Sequence, residues 1–204
     1  MTYEAKFWDR MAPGYFKRPI GDEDAYQRKL AMTREHLTCD TRLLELGCGT
    51  GGTAIAHAPF VKSVHATDVS PKMLEIARQQ AHDAGVSITF EQMDTAGFEA
   101  PSGSYDAILA LSHLHLLEDW RSAISKAHGL LSPGGVFVTS TGCMGDTMAW
   151  FRFVAPIGKA LRLLPLIQIF TSDTLRQAMT DAGFKIVEDW QPEKSQAIFI
   201  IAQR

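Results

Sequence analysis

The stretch LLELGCGTGG, residues 43–52, sets several glycines and one acid at close spacing. Gly47 and Gly49 let a chain turn tightly and let its backbone approach a ligand. Two kinds of cofactor use such a loop. Gly47, Gly49 and Gly52 fit G-x-G-x-x-G, the spacing that cradles a dinucleotide. Glu45, Gly47, Gly49 and Gly51 fit E-x-G-x-G-x-G, which suits S-adenosylmethionine. The acid separates the two. A pyrophosphate favours bare backbone amides and a helix N-terminus, so a carboxylate two residues before the loop would oppose it. S-adenosylmethionine carries no phosphate; its sulfonium and ammonium both favour a nearby carboxylate. Asp68, at the end of the next apolar run, is placed to accept hydrogen bonds from ribose hydroxyls and would serve either ligand.

Further along, His113 and His115 follow the apolar run Tyr105 to Leu111. Histidine titrates near neutrality, so either could take a proton from an acceptor. Cys39, Cys48 and Cys143 form no C-x-x-C pair and read as reduced thiols of a cytoplasmic protein. No cluster of carboxylates suggests a metal, so none is expected.

These residues need a frame to hold them. The chain has 204 residues, 46% apolar and 21% charged, which suits an ordinary globular protein with a sizeable core. Its net charge is −3, and no broad basic surface points to nucleic acid. MTYEAKFWDRM lacks an apolar signal core, and no apolar run is long enough to span a membrane.

Residues 1–22 are mixed and turn-prone, with Pro13-Gly14 and Pro19 to Gly21; 23–37 look helical. Strands are expected at Arg42 to Leu46, Ser63 to Thr67, Val86 to Phe90, Tyr105 to Leu111 and Val136 to Ser140, with helices between them. Ser70-Pro71 is a helix start and Gly85 its stop. Such alternation predicts a parallel sheet covered on both faces. Lys185 to Trp190 and Ala197 to Ala202 are separated only by a short polar turn around Pro192 and Lys194, so this last pair must be an antiparallel hairpin. The expected fold is therefore α/β, a doubly wound Rossmann-like sheet of seven strands, mostly parallel with a reversed last strand. Residues 1–37 would form an N-terminal helical lid and 38–204 the main domain. Residues 142–171 break the alternation and form an apolar cap in which Arg152, Lys159 and Arg162 are the basic residues.

In its order of motifs the sequence resembles the class I S-adenosylmethionine-dependent methyltransferases over roughly residues 40–204. LELGCGTG stands first, HATDVSPKML second, FEQMDT third, and YDAILALSHLHLL fourth; LLSPGGVFV and the closing hairpin complete the series. The resemblance implies that Gly47, Gly49 and Gly51 bend around the methionine part of the cofactor, with Glu45 holding that end and Cys48 in the same loop. Asp68 and Val69 would flank the ribose. Met73 would pack on the adenine, and Asp94 would face its amino group between Met93 and Thr95. Ala110 and Leu111 would border the methyl-transfer site, and Tyr15, in FWDRMAPGY, would reach the cofactor from the lid.

The resulting expectation is S-adenosylmethionine-dependent methyl transfer, by in-line displacement, to a small apolar acceptor such as a quinone, phenol, lipid or thiol. The fourth motif lacks the Asn/Asp-Pro-Pro-Tyr run of enzymes that methylate nucleic-acid bases. The chain is expected to be a monomer or homodimer, with transient membrane contact through the cap. Two alternatives use the same residues: an NAD(P)-dependent oxidoreductase, and a non-catalytic cofactor-binding module that acts through the apolar cap.

Overall fold

A computed structural model describes residues 2–161, 163–192 and 197–204. Arg162 of the cap and Lys194 of the final turn lie outside the described residues. The elements in chain order are α1 (Tyr3–Phe16), α2 (Glu23–Arg34), β1 (Arg42–Leu46), α3 (Gly52–His57), β2 (Ser63–Asp68), α4 (Pro71–Asp83) and β3 (Thr89–Gln92). There follow β4 (Tyr105–Leu111), α5 (Trp120–Leu130), β5 (Leu131–Gly142), α6 (Phe151–Ala160), α7 (Ser172–Asp181), β6 (Lys185–Trp190) and β7 (Ala197–Gln203).

The strands form one sheet in the order β3-β2-β1-β4-β5-β7-β6. The pairs among β1 to β5 are parallel, and β7 runs antiparallel to both β5 and β6, as the short final connection requires. Alternation along each strand divides the core in two. Leu44, Ile108, Phe137 and Ile200 face Ile124 of α5 and Leu175 and Met179 of α7. Leu43, Leu109, Val138 and Phe199 face the other way, with Ala54 of α3 and Leu74 of α4. The chain leaves β1 towards β2 and β3, then returns to β4 on the other side of β1. The crevice of such a sheet opens at the carboxyl ends of those two central strands.

Three local expectations need correction. Residues 3–16 are a regular helix, although Pro13 lies inside it. The Thr2 side chain caps it by accepting from the Ala5 amide, and α1 packs along α4, so tertiary contact overrides the Pro-Gly turn signal. The third strand begins at Thr89 rather than Val86, because the Gly85 and Val86 amides close the end of α4 onto the His82 and Ala81 carbonyls. The fifth strand runs from Leu131 to Gly142; Leu131 pairs with Tyr105 and Val136 with Ala107, so Ser132 to Gly135 are taken up as a bulge within the strand. No described helix is long and apolar enough to cross a membrane.

Candidate functional site

The glycine loop leaves β1 and folds back over β2. The Cys48 amide donates to the Thr67 carbonyl at 2.9 Å, and the Gly51 amide to the Cys48 carbonyl at 2.9 Å. Asp68 fastens the loop: its carboxylate accepts from the Gly49 amide at 2.9 Å and the Ser70 amide at 2.8 Å. Burial pushes the Asp68 carboxyl up, while these amides pull it down. The Ser70 hydroxyl caps α4 by accepting from the Met73 amide, and donates to Asp9 of α1 at 2.6 Å. α1 is thereby pinned beside the loop.

Glu45 lies beneath this loop and is buried. Burial raises its carboxyl to about 8, against the pull of an amide hydrogen bond from Ala54 and with help from the charge of Asp68. Its Oε2 has no hydrogen-bond partner among the described residues. A buried carboxylate oxygen left unpaired costs on the order of 1–3 kcal/mol, and such a group calls for an explanation.

A cavity of about 680 Å³ opens at the carboxyl ends of β1 and β4. Gly47, Gly49, Asp68, Val69 and Met73 line one side, and Met93, Asp94 and Thr95 the next. Leu111, His113 and His115 line it from the end of β4, and Tyr15 from α1. Four expected residues do not reach it. Glu45 lies below it, Cys48 and Ala110 belong to the two cores, and Gly51 is the left-handed residue that starts α3. A Cβ on Gly51 would stand 2.9 Å from that of Ala77, so this glycine lets α3 and α4 pack.

The sequence pointed to the cap and the N-terminal helix as cover for the acceptor, but not to the segment before α5 or to the loop's support. Leu116 and Leu117 line the cavity just before α5 and Ser122 from its first turn, Trp8 and Glu4 from α1, and Leu166 from residues 142–171. Asp119 caps α5 through the Ser122 amide, a helix-start signal that could have located this wall. Lys126 donates to the Ala96 carbonyl at 2.6 Å and so holds the Asp94–Thr95 loop. Ser112 takes a left-handed φ of 53°, rare for a side-chain-bearing residue, while its amide donates to Ser140 at 2.7 Å. Such strain at a cavity wall is of a kind found at ligand sites.

The two histidines differ. The His113 ring lies against the glycine loop, where a Cβ on Gly47 would fall 2.2 Å from its Nδ1; its Nε2 pairs with the Thr95 hydroxyl at 2.7 Å. Burial, then the neighbouring His115, lowers it to about 4. Burial lowers His115 to about 4 as well, and its Nδ1 has no partner among the described residues. Both rings are therefore uncharged at neutral pH. His113 is built as a strut between the glycine loop and the Thr95 loop.

A family model described as a methyltransferase domain matches residues 43–135. A highly reducing polyketide synthase of Fusarium mangiferae is 30% identical over 159 residues, which are 72% of this chain and 6% of the synthase. A ubiquinone biosynthesis O-methyltransferase of Xanthomonas euvesicatoria is 28% identical over 164 residues, 78% of this chain and 65% of that protein. The chain thus spans less than two thirds of either curated relative. The solved structure of an S-adenosylmethionine-dependent methyltransferase from Mesorhizobium loti superposes with a TM-score of 0.73 at 24% identity, over 87% of this chain and 96% of that one; it speaks for the fold. The loop after β1, the acid ending β2 and the reversed β7 agree with these matches: residues 43–135 match the methyltransferase-domain family, and the chain has the fold of the class I methyltransferases, whose cofactor is S-adenosylmethionine.

Proposed function

We propose that this chain transfers a methyl group from S-adenosylmethionine to a small apolar acceptor with a ring hydroxyl, of the quinol or phenol class. The observation that supports this is the mixed lining of the cavity: Asp68 and Asp94 at strand ends, near the buried Glu45, and an apolar set of Trp8, Leu111, Leu116, Leu117 and Leu166, beside the charged Glu4, Glu118, Asp119 and Lys126. The strand-end carboxylates suit a cofactor with ribose and adenine amine; the apolar set suits a ring. The Xanthomonas relative, whose name places it in ubiquinone biosynthesis, supports the acceptor class.

When bound, S-adenosylmethionine supplies an electrophilic methyl group on a sulfur that leaves as a neutral sulfide. The chain's task is then to align the acceptor and exclude water. Asp68 would hold the ribose hydroxyls and Asp94 the adenine amine, while Glu45, buried outside the cavity wall, would favour the ammonium by its charge rather than by contact. Tyr15 and Trp8 would close the cavity from α1. A hydroxyl acceptor must lose its proton, and His115, uncharged with an unpaired Nδ1, is the residue left to take it. His113, occupied by Thr95, positions the loops instead. A base depressed to about 4 is weak, which favours acceptors whose own hydroxyl is acidic, as phenols and quinols are.

The test is transfer of a labelled methyl group to matched panels of apolar and polar acceptors. Turnover of the apolar phenols and quinols is expected. Turnover of polar metabolites alone would overturn the acceptor class, and cofactor binding without any turnover would favour a non-catalytic module.

A further inference from the structure

The outer face of α6 takes no part in the site or in either core. Trp150, Phe153, Val154, Ile157 and Leu161 recur at helical spacing, and all are exposed: Phe153 by 72%, Ile157 by 59% and Leu161 by 64%. Leu163 extends the patch. The buried side of the helix is narrow, with Ala155 and Gly158 as its buried residues; a Cβ on Gly158 would meet Leu164 at 2.6 Å. Contiguous apolar surface of this kind marks a contact site rather than an ordinary solvated face.

The charge pattern says what covers it. The chain carries 23 acids against 20 lysines and arginines, yet no acid occurs between Asp146 and Asp173, where Arg152, Lys159 and Arg162 lie. Arg152 is exposed, with its guanidinium over the Phe153 ring at 5.6 Å, and Lys159 sits 3.6 Å from Glu4, a residue of the cavity wall. The face is thus apolar with a cationic border in an acidic protein. A second copy fits it poorly, because Lys159 already pairs with Glu4, and a two-fold contact would set the same patch against itself with no acid from residues 147–172 to meet Arg152.

We infer that the outer face of α6 docks on an anionic lipid surface and presents the cavity to an acceptor dissolved in that membrane. The inference rests on the apolar-acceptor reading above. Helix and cavity wall belong to one segment: Leu166 lines the cavity a few residues past α6, and the Tyr3 hydroxyl of α1 donates to the Leu164 carbonyl at 2.8 Å. A helix lying in the interface with its apolar face down would keep this segment, and α1 tied to it, at the lipid boundary.

The test is flotation of the full chain with vesicles of phosphatidylglycerol in phosphatidylcholine, and of phosphatidylcholine alone. The variants are Phe153→Asp with Ile157→Asp, and Arg152→Gln with Lys159→Gln. S-adenosylhomocysteine binding monitors folding, and turnover of a water-soluble short-chain quinol monitors the catalytic reading. Binding is expected to prefer the anionic vesicles, to fall by at least about tenfold in the Asp pair, and to weaken in the Gln pair and with salt. Vesicle binding that survives the Asp pair, or that ignores lipid charge, would overturn the inference. So would absence of vesicle binding, including the case where sedimentation shows a dimer that the Asp pair splits. Vesicle binding without turnover of any quinol would overturn the acceptor reading; turnover without vesicle binding would overturn the docking alone.

Discussion

Replacing Glu45 by glutamine should stabilise the unliganded chain and weaken its hold on the cofactor. The carboxyl is held at about 8, against an ordinary 4.5. Between those values the folded chain keeps a proton that the unfolded chain has lost, so stability falls as pH rises through the window. Roughly 2.5 pH units of it lie below neutrality, and at about 1.4 kcal/mol per unit they cost about 3 kcal/mol by pH ~7. Glutamine mimics the protonated acid and escapes that cost. The assay is urea unfolding of both proteins across this range. Glu45→Gln should gain about 2–3 kcal/mol near pH 7 and about nothing below pH ~4.5. S-adenosylhomocysteine, which keeps the ammonium, should bind the variant about 10–100-fold more weakly. Calorimetry in buffers of different ionisation heat should detect a proton released on binding to the parent and none to the variant. A stability gain that does not change with pH would refute the reasoning. Unchanged affinity would separate the buried acid from the cofactor.

Gly47→Ala should cost about 3–5 kcal/mol, because a methyl 2.2 Å from the His113 ring adds to a left-handed φ of +68° and forces the Thr95 bond apart. In a His113→Ala background the same change should cost only the backbone strain, about 1–2 kcal/mol, and equal costs in both backgrounds would sink the strut assignment. His57 is fully buried with both ring nitrogens unpaired, and burial holds it at about 4. The unfolded chain therefore takes up a proton that the folded one refuses as pH falls from about 6.5 to 4, and His57→Leu should flatten the stability loss there by about 1.4 kcal/mol per pH unit; an unaltered slope would contradict this. Asp68→Asn keeps the volume but turns one acceptor into a donor that faces a backbone amide, and calorimetry should show S-adenosylhomocysteine affinity falling by about tenfold or more.

The frame was legible because its signals are local. The short apolar runs Arg42–Leu46 and Tyr105–Leu111, the Ser70-Pro71 cap, and a final connection too short for a crossover specify strands, a helix start and a reversed edge without knowledge of contacts. What was misread depends on contacts. Pro13-Gly14 signals a turn in any isolated peptide, but α1 gains its stability by packing along α4 and by the Asp9 bonds to Ser70 and Lys72. Ser132 to Gly135 reads as a turn as well, and becomes a bulge because Leu131 and Tyr105 pair on its far side.

The site divides along the same line. The residues proposed to hold the cofactor sit at or just past strand ends whose place the topology fixes, so Asp68, Asp94 and the glycines that line the cavity could be placed from order alone. The residues proposed to meet the acceptor come from three separate segments: Trp8 on α1, Leu116 and Leu117 before α5, and Leu166 beyond α6. Nothing in their spacing ties them together; they meet only because α1 is pinned to α4 and Tyr3 is bonded to the Leu164 carbonyl. Cys48 and Ala110 turn into the cores for the complementary reason: a motif fixes a backbone position, while the turn of the glycine loop at Cys48 and the alternation of β4 at Ala110 decide which way the side chain points. The acceptor wall is therefore free to vary without disturbing the strand-end residues of the cofactor side. A swap of Leu116, Leu117 and Leu166 for polar residues should change which acceptors turn over while leaving S-adenosylhomocysteine affinity within about threefold. If cofactor affinity collapsed along with acceptor preference, the two sets of lining residues would not be separable, and the reading on which the proposed function rests would fail.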